Sequence, residues 1–101
     1  MRAKARVEIT ATAERDILGI LEYIEADDPA AALRWVAAIR RQIETLATVS
    51  RRGPVIPESA DLGLEYRQLV HKRYRTIYRV DGDRVLIVRV IHSAQLLGPP
   101  E

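Results

Sequence analysis

Cysteine is absent from the 101-residue chain. That excludes disulfides, thiolate nucleophiles, iron–sulfur clusters and the common zinc sites. Two histidines are too few for a histidine-rich metal centre, so neither a metal nor a cofactor is expected. No apolar run approaches the roughly 20 residues of a spanning helix, so a membrane is not an expected partner. Also missing are a glycine-rich phosphate loop, a paired-carboxylate pattern and a nucleophile motif. There is no internal repeat. The start, Met1-Arg2-Ala3-Lys4-Ala5-Arg6, is basic, but no hydrophobic stretch of signal-peptide type follows it. A cytoplasmic location is expected.

What is present is an ordinary globular balance of 48% hydrophobic and 30% charged residues. A length near 100 residues suits one core, so residues 1–95 are read as a single domain and 96–101 as a short tail. The net charge of +2 hides a polarity along the chain. Residues 1–28 hold seven acids and four bases. Residues 34–52 hold five arginines against Glu44 alone. Residues 65–92 hold seven bases against three acids. Clustered basic charge favours nucleic acid, phosphate or an acidic protein partner.

Val7 and Ile9 alternate with Arg6 and Glu8, as in a short strand. Thr10 or Thr12 suits a helix N-cap, and Ile17, Ile20, Leu21 and Ile24 then form one apolar helical stripe. Asp27-Asp28-Pro29 closes that helix and opens the next, with Asp28 at the N-cap and Pro29 at the first helical position. Ala32, Val36, Ile39, Ile43 and Leu46 form a second stripe, flanked by Trp35 and Leu33. The short connection implies an antiparallel helical hairpin. Residues 55–63 read as a loop. Strands are expected at about 64–70, 74–80 and 84–92, with Asp81-Gly82-Asp83 as a hairpin turn. The order β-α-α-β-β-β gives an α+β fold in which the helical hairpin packs on one face of a small antiparallel sheet.

Strand phase sorts the charges. Tyr74, Thr76, Tyr78 and Val80 share one face, and Arg75, Ile77 and Arg79 the other. A three-residue loop would pair Val80 with Arg84 and turn Leu86, Val88, Val90 and His92 toward the helices. It would leave Val85, Ile87, Arg89 and Ile91 on the second face, with Arg75 opposite Arg89. The expectation is an apolar floor dotted with guanidinium groups, suited to an acidic and apolar partner segment. His92, at a strand end, suits either a core-edge position or a general acid/base; its neighbour Ser93 points to the opposite side. His71, beside Lys72 and Arg73, reads as a solvated turn residue.

The element order, together with Tyr66-Arg67-Gln68-Leu69, Tyr74-Arg75-Thr76-Ile77-Tyr78-Arg79-Val80 and Val85 through Gln95, resembles the RelE/ParE superfamily of bacterial type II toxins. The ending Ile91-His92-Ser93-Ala94-Gln95 is closer to the ParE-like branch. That resemblance implies the toxic half of a toxin–antitoxin pair, acting on DNA gyrase by binding and neutralised by a cognate antitoxin in a hetero-oligomer. Arg67, Arg75, Arg79, Arg89, Ile77 and Ile87 would then contact antitoxin or target. The RelE-like alternative is a ribosome-dependent mRNA endoribonuclease with His92 as acid/base and Arg67 and Arg75 at the phosphate. A third reading is a non-toxic interaction domain of the same fold.

Overall fold

The computed structural model describes residues 4–99. Met1–Ala3 and Pro100–Glu101, the outer ends of the basic start and of the tail, lie outside the described residues. The elements are β1 (Arg6–Ile9), α1 (Ala11–Asp27), α2 (Pro29–Thr45), a single-turn α3 (Ser59–Leu62), β2 (Arg67–His71), β3 (Tyr74–Asp81) and β4 (Arg84–His92). No described helix is long and apolar enough to cross a membrane.

Local chemistry sets the helix ends. Thr10 has extended backbone, and its side chain accepts from the Ala13 amide at 3.2 Å, satisfying one of the free N–H groups at the start of α1. Asp28 ends α1 with its own N–H on the Ile24 carbonyl. Its carboxylate then accepts from the Ala31 amide at 3.1 Å to begin α2. One residue thus serves both helices, and Pro29 fills the first position of α2, where no N–H is needed. The hairpin turns its stripes inward. Ile39, Ile43 and Leu46 of the second stripe, with the flanking Trp35, bury against Leu69, Tyr78, Val85, Ile87 and Val90 of the sheet, with Ala13 of α1 beneath them. Truncating Ile39 to alanine in such a setting costs about 2–5 kcal/mol. Leu33 points away and is exposed.

The sheet is mixed rather than wholly antiparallel. Its order is β1-β4-β3-β2, with β1 parallel to β4 and the other pairs antiparallel. The helical hairpin carries the chain away from β1 before β2 begins, so β1 is free to join the outer side of β4 in parallel. The expected 55–63 loop contains the single turn α3, closed by Gly63 at φ 74°. β2 begins at Arg67, three residues later than the apolar pattern suggests, because Tyr66 is held by Ser59. The Tyr66 amide donates to the Ser59 hydroxyl at 2.9 Å, and that hydroxyl donates to the Tyr66 carbonyl at 3.1 Å.

The hairpin register differs from the expected one. The turn has two residues, Gly82 and Asp83, between the partners Asp81 and Arg84. Gly82 sits at φ 60°, in the first central position that a type II′ turn reserves for glycine. Val80 therefore pairs with Val85, Arg79 with Leu86 and Tyr78 with Ile87, after which a bulge moves Ile77 opposite Arg89. Val88 is the extra residue. β3 keeps the expected phase, with Tyr78 among the helix-facing core and Ile77 on the other side. In β4, Val85 and Ile87 turn inward instead of Leu86 and Val88, and the bulge then returns Val90 to the helix side. Val85-Leu86-Ile87-Val88 is aliphatic on both faces, so either phase buries carbon. The bulge lets a two-residue turn coexist with guanidinium groups kept off the helices.

Candidate functional site

The second face of the sheet is not an open floor. The segment after α2 and the C-terminal tail fold across it, and Ile56, Tyr66, Ile77, Ile91 and Leu97 form a second apolar cluster there. Arg75 lies at the edge of this cluster with 6% of its surface exposed. Its guanidinium pairs with the Glu58 carboxylate and donates to the Gln95 carbonyl and, at 3.2 Å, to the Gln68 side chain. Glu58 also accepts from the Leu97 amide at 3.0 Å. The Arg75 hydrogen bonds and the Leu97 amide hold the Glu58 carboxyl down at about 2, against the opposing effect of its burial.

Arg75 and Arg89 are not opposite one another. Arg75 faces Ile91, and Arg89 faces Ile77. The like charges are staggered, and each has an acidic partner. Arg89 donates to Asp16 of α1 at 2.7 and 3.2 Å. Asp16 also accepts from the Val90 amide at 3.0 Å, so this carboxylate takes the place of a strand neighbour where β1 has ended. Ile77 and Ile87 are both fully buried, Ile77 in the second cluster and Ile87 against the helices. Neither is presented to a partner as expected, because the extra chain on the second face covers one and the register turns the other inward.

Arg67 stands directly across from Tyr78 and so lies on the helix side, not beside Arg75. It donates to the Gly53 carbonyl at 2.8 Å and to Glu65 at 2.8 Å, fastening β2 to the exit of α2. His92 is paired with Tyr74, at the opposite end of that face, and the two rings meet edge-on at 5.8 Å. Its Nδ1 accepts from the Ala94 amide at 3.1 Å. His71 is the last residue of β2 and is half-buried rather than solvated. His92, Arg67 and Arg75 therefore do not converge. Arg75 is on the other face, and Arg67 lies four residues along β2 from the His92 end, about 13 Å at strand spacing. These three residues do not aim an acid/base and a cation at one phosphate.

Arg79 is different. It is half-buried on the second face, and no hydrogen bond or ion pair joins its guanidinium to another described residue. It lines a concavity of about 420 Å³ with Tyr66, Val88, Arg89, Leu97 and Pro99. Other concavities lie on the helix side. One of about 540 Å³ is apolar and runs between the hairpin helices past Ile9, Ile17, Leu18 and Val36, with Arg40 and Glu44 at its rim. Another, of about 500 Å³, gathers Arg15, Arg73, Tyr23 and His92 at the edge of β4. Among the described residues, no group of three or more histidine or acidic side chains is gathered for a metal ion. The Arg79 concavity was hidden in the sequence because its walls come from both ends of the chain.

Comparison with known proteins agrees with this architecture. The fold is similar to that in a chromosomal ParDE toxin–antitoxin system from P. aeruginosa, with TM-score 0.73 and 23% identity over 88% of this chain and 96% of that one. It is also similar to the RelBE2 toxin–antitoxin complex from Mycobacterium tuberculosis, with TM-score 0.59 and 22% identity over 94% of this chain and 98% of that one. Comparison with curated protein sequences finds no match. The family model described as "ParE toxin of type II toxin-antitoxin system, parDE" matches residues 7–97, from the first strand through Leu97 of the docked tail. With that match spanning both helices and the sheet they cover, the chain belongs to the ParE toxin family of type II toxin–antitoxin systems.

Proposed function

We propose that this toxin arrests growth by binding DNA gyrase and that a cognate antitoxin neutralises it by wrapping the apolar groove between α1 and α2 and the exposed rim of the second sheet face. The observation that carries the reading is the family match across residues 7–97. The absence of convergence between His92, Arg67 and Arg75 supports action by binding over bond cleavage. A ribonuclease that relied on those three residues, held apart as they are, would forfeit orders of magnitude in rate. Antitoxin or target contacts are assigned to Arg79, with the solvent-facing part of Arg89 beside it and that of Arg67 on the opposite face. Arg75, Ile77 and Ile87 act from beneath, by holding that surface in place. An acidic segment suits these cations, and charge complementarity sets register and association rate.

Expression in bacteria should arrest growth, and co-expression of the antitoxin from the neighbouring reading frame should restore it. Purified toxin should block supercoiling by gyrase and leave translated mRNA intact. Translation-dependent mRNA cuts, lost on His92→Ala and without an effect on gyrase, would overturn the proposal.

A further inference from the structure

The tail forms one wall of the Arg79 concavity, and a single ion pair ties that tail down. Leu97 is 9% exposed and sits in the second apolar cluster. Its amide donates to Glu58, and two residues earlier the Gln95 carbonyl accepts from Arg75. Glu58 and Arg75 are bound to each other. A tail with no secondary structure of its own is thus fixed by two backbone bonds to one buried pair. Gly98 and Pro99, which follow directly, complete the wall facing Arg79.

Among the described residues no acidic side chain lines this concavity, which holds two arginines on a largely apolar lining of Leu64, Tyr66, Val88 and Leu97. Arg89 is engaged by Asp16, so the charge on offer is that of Arg79. A half-buried guanidinium that has lost part of its water without gaining a counter-charge from the described residues is a site for one carboxylate. The space suits a side chain and its apolar neighbour. A polyphosphate would call for more cations than are gathered here.

We infer that the Arg79 concavity is a recognition pocket for an acidic side chain carried next to an apolar one on an extended segment of the antitoxin, and that the Glu58–Arg75 pair assembles it by latching the tail. The antitoxin as occupant rests on the proposal above; the latch does not. Glu58 is a positioning residue: it reaches the tail amide and Arg75, not the partner.

The test pairs two readouts on the full-length toxin. Affinity for the antitoxin encoded by the neighbouring frame is measured by calorimetry, and docking of the tail by hydrogen exchange at the Leu97 amide. Arg79→Gln should weaken binding at least tenfold and leave Leu97 protected. Glu58→Gln should lose that protection and weaken binding to a similar degree, and Leu97→Ala should do the same without disturbing the ion pair. Adding Arg79→Gln to Glu58→Gln should then cost little more. Unchanged affinity in Arg79→Gln would overturn the pocket. So would a Leu97→Ala or Glu58→Gln toxin whose tail exchanges freely yet binds as the unaltered toxin does. Leu97 remaining protected in Glu58→Gln would overturn the latch. Failure of the unaltered toxin to bind would overturn the assignment of the antitoxin as occupant.

Discussion

The amide of Gly53 donates to the hydroxyl of Tyr78 at 2.9 Å, in a buried contact that fastens the exit of α2 to the middle of β3. Burial raises the Tyr78 hydroxyl above its ordinary pKa, so it stays protonated. A Cβ on Gly53 would lie 2.1 Å from the backbone carbonyl oxygen of Gln68. Gly53→Ala is therefore expected to destabilise the protein by about 3 kcal/mol or more, since backbone on both sides must shift. Tyr78→Phe keeps the ring and strands one buried N–H, at about 1–3 kcal/mol. Urea denaturation of both variants checks the order; equal stability of Gly53→Ala and the parent would refute the close approach.

Thr76 is 1% exposed, and its hydroxyl has no hydrogen-bond partner among the described residues. Valine has the same shape, favours strands and carries no such group. Thr76→Val should stabilise the fold by about 1 kcal/mol, read as a raised denaturation midpoint at constant slope.

Glu58 gives the stability a pH dependence. Its folded pKa, about 2, is below the ordinary carboxylate value of 4.5, so the unfolded chain binds the proton more readily. The contribution is complete above the unfolded value and fades as pH falls toward 2. Glu58→Gln should cost about 3 kcal/mol at pH 7, because it leaves Arg75 nearly buried without its counter-charge. The gap between variant and parent should narrow as pH is lowered from 5 to 2.5. A constant gap across that window would show that the carboxylate's charge is not what is used.

Asp16 serves both the Arg89 side chain and the Val90 amide. Asp16→Ala should cost about 2 kcal/mol, since it leaves a strand-edge N–H and a cation without their acceptor. In a double-mutant cycle with Arg89→Gln, coupling of about 1 kcal/mol is expected. Hydrogen exchange at Val90 should accelerate in Asp16→Ala and stay slow in Arg89→Gln, which separates the amide's bond from the ion pair.

Much of this architecture was legible in the chain. Thr10, Asp28 and Pro29 mark helix ends through groups that act on their own next few residues. The stripes Ile17–Ile24 and Ala32–Leu46 follow from helical period alone. The phase of β3 was readable because its two faces differ, tyrosine and valine against arginine. β4 offers no such contrast, since Val85 to Val88 are apolar whichever way they point. Its register was settled by a glycine turn and a bulge, which depend on the partner strand. The expected docking bed failed for a related reason. Periodicity showed that Arg75 and Ile77 leave the helix face, but not that Ile56, Glu58, Tyr66 and Leu97 would return to cover them.

Sequence by itself therefore determined the elements, their order and the separation of the β3 guanidinium groups from the helical core, because caps, periods and the cost of burying an unpaired charge act locally. Only the tertiary structure decided which arginines are spent. Glu58 takes Arg75, Asp16 takes Arg89 and the α2 exit takes Arg67. Arg79 is left facing a pocket walled by the tail. The two ion pairs join residues 17 and 73 positions apart in the chain, and distance in space, not in sequence, sets the energy between charges.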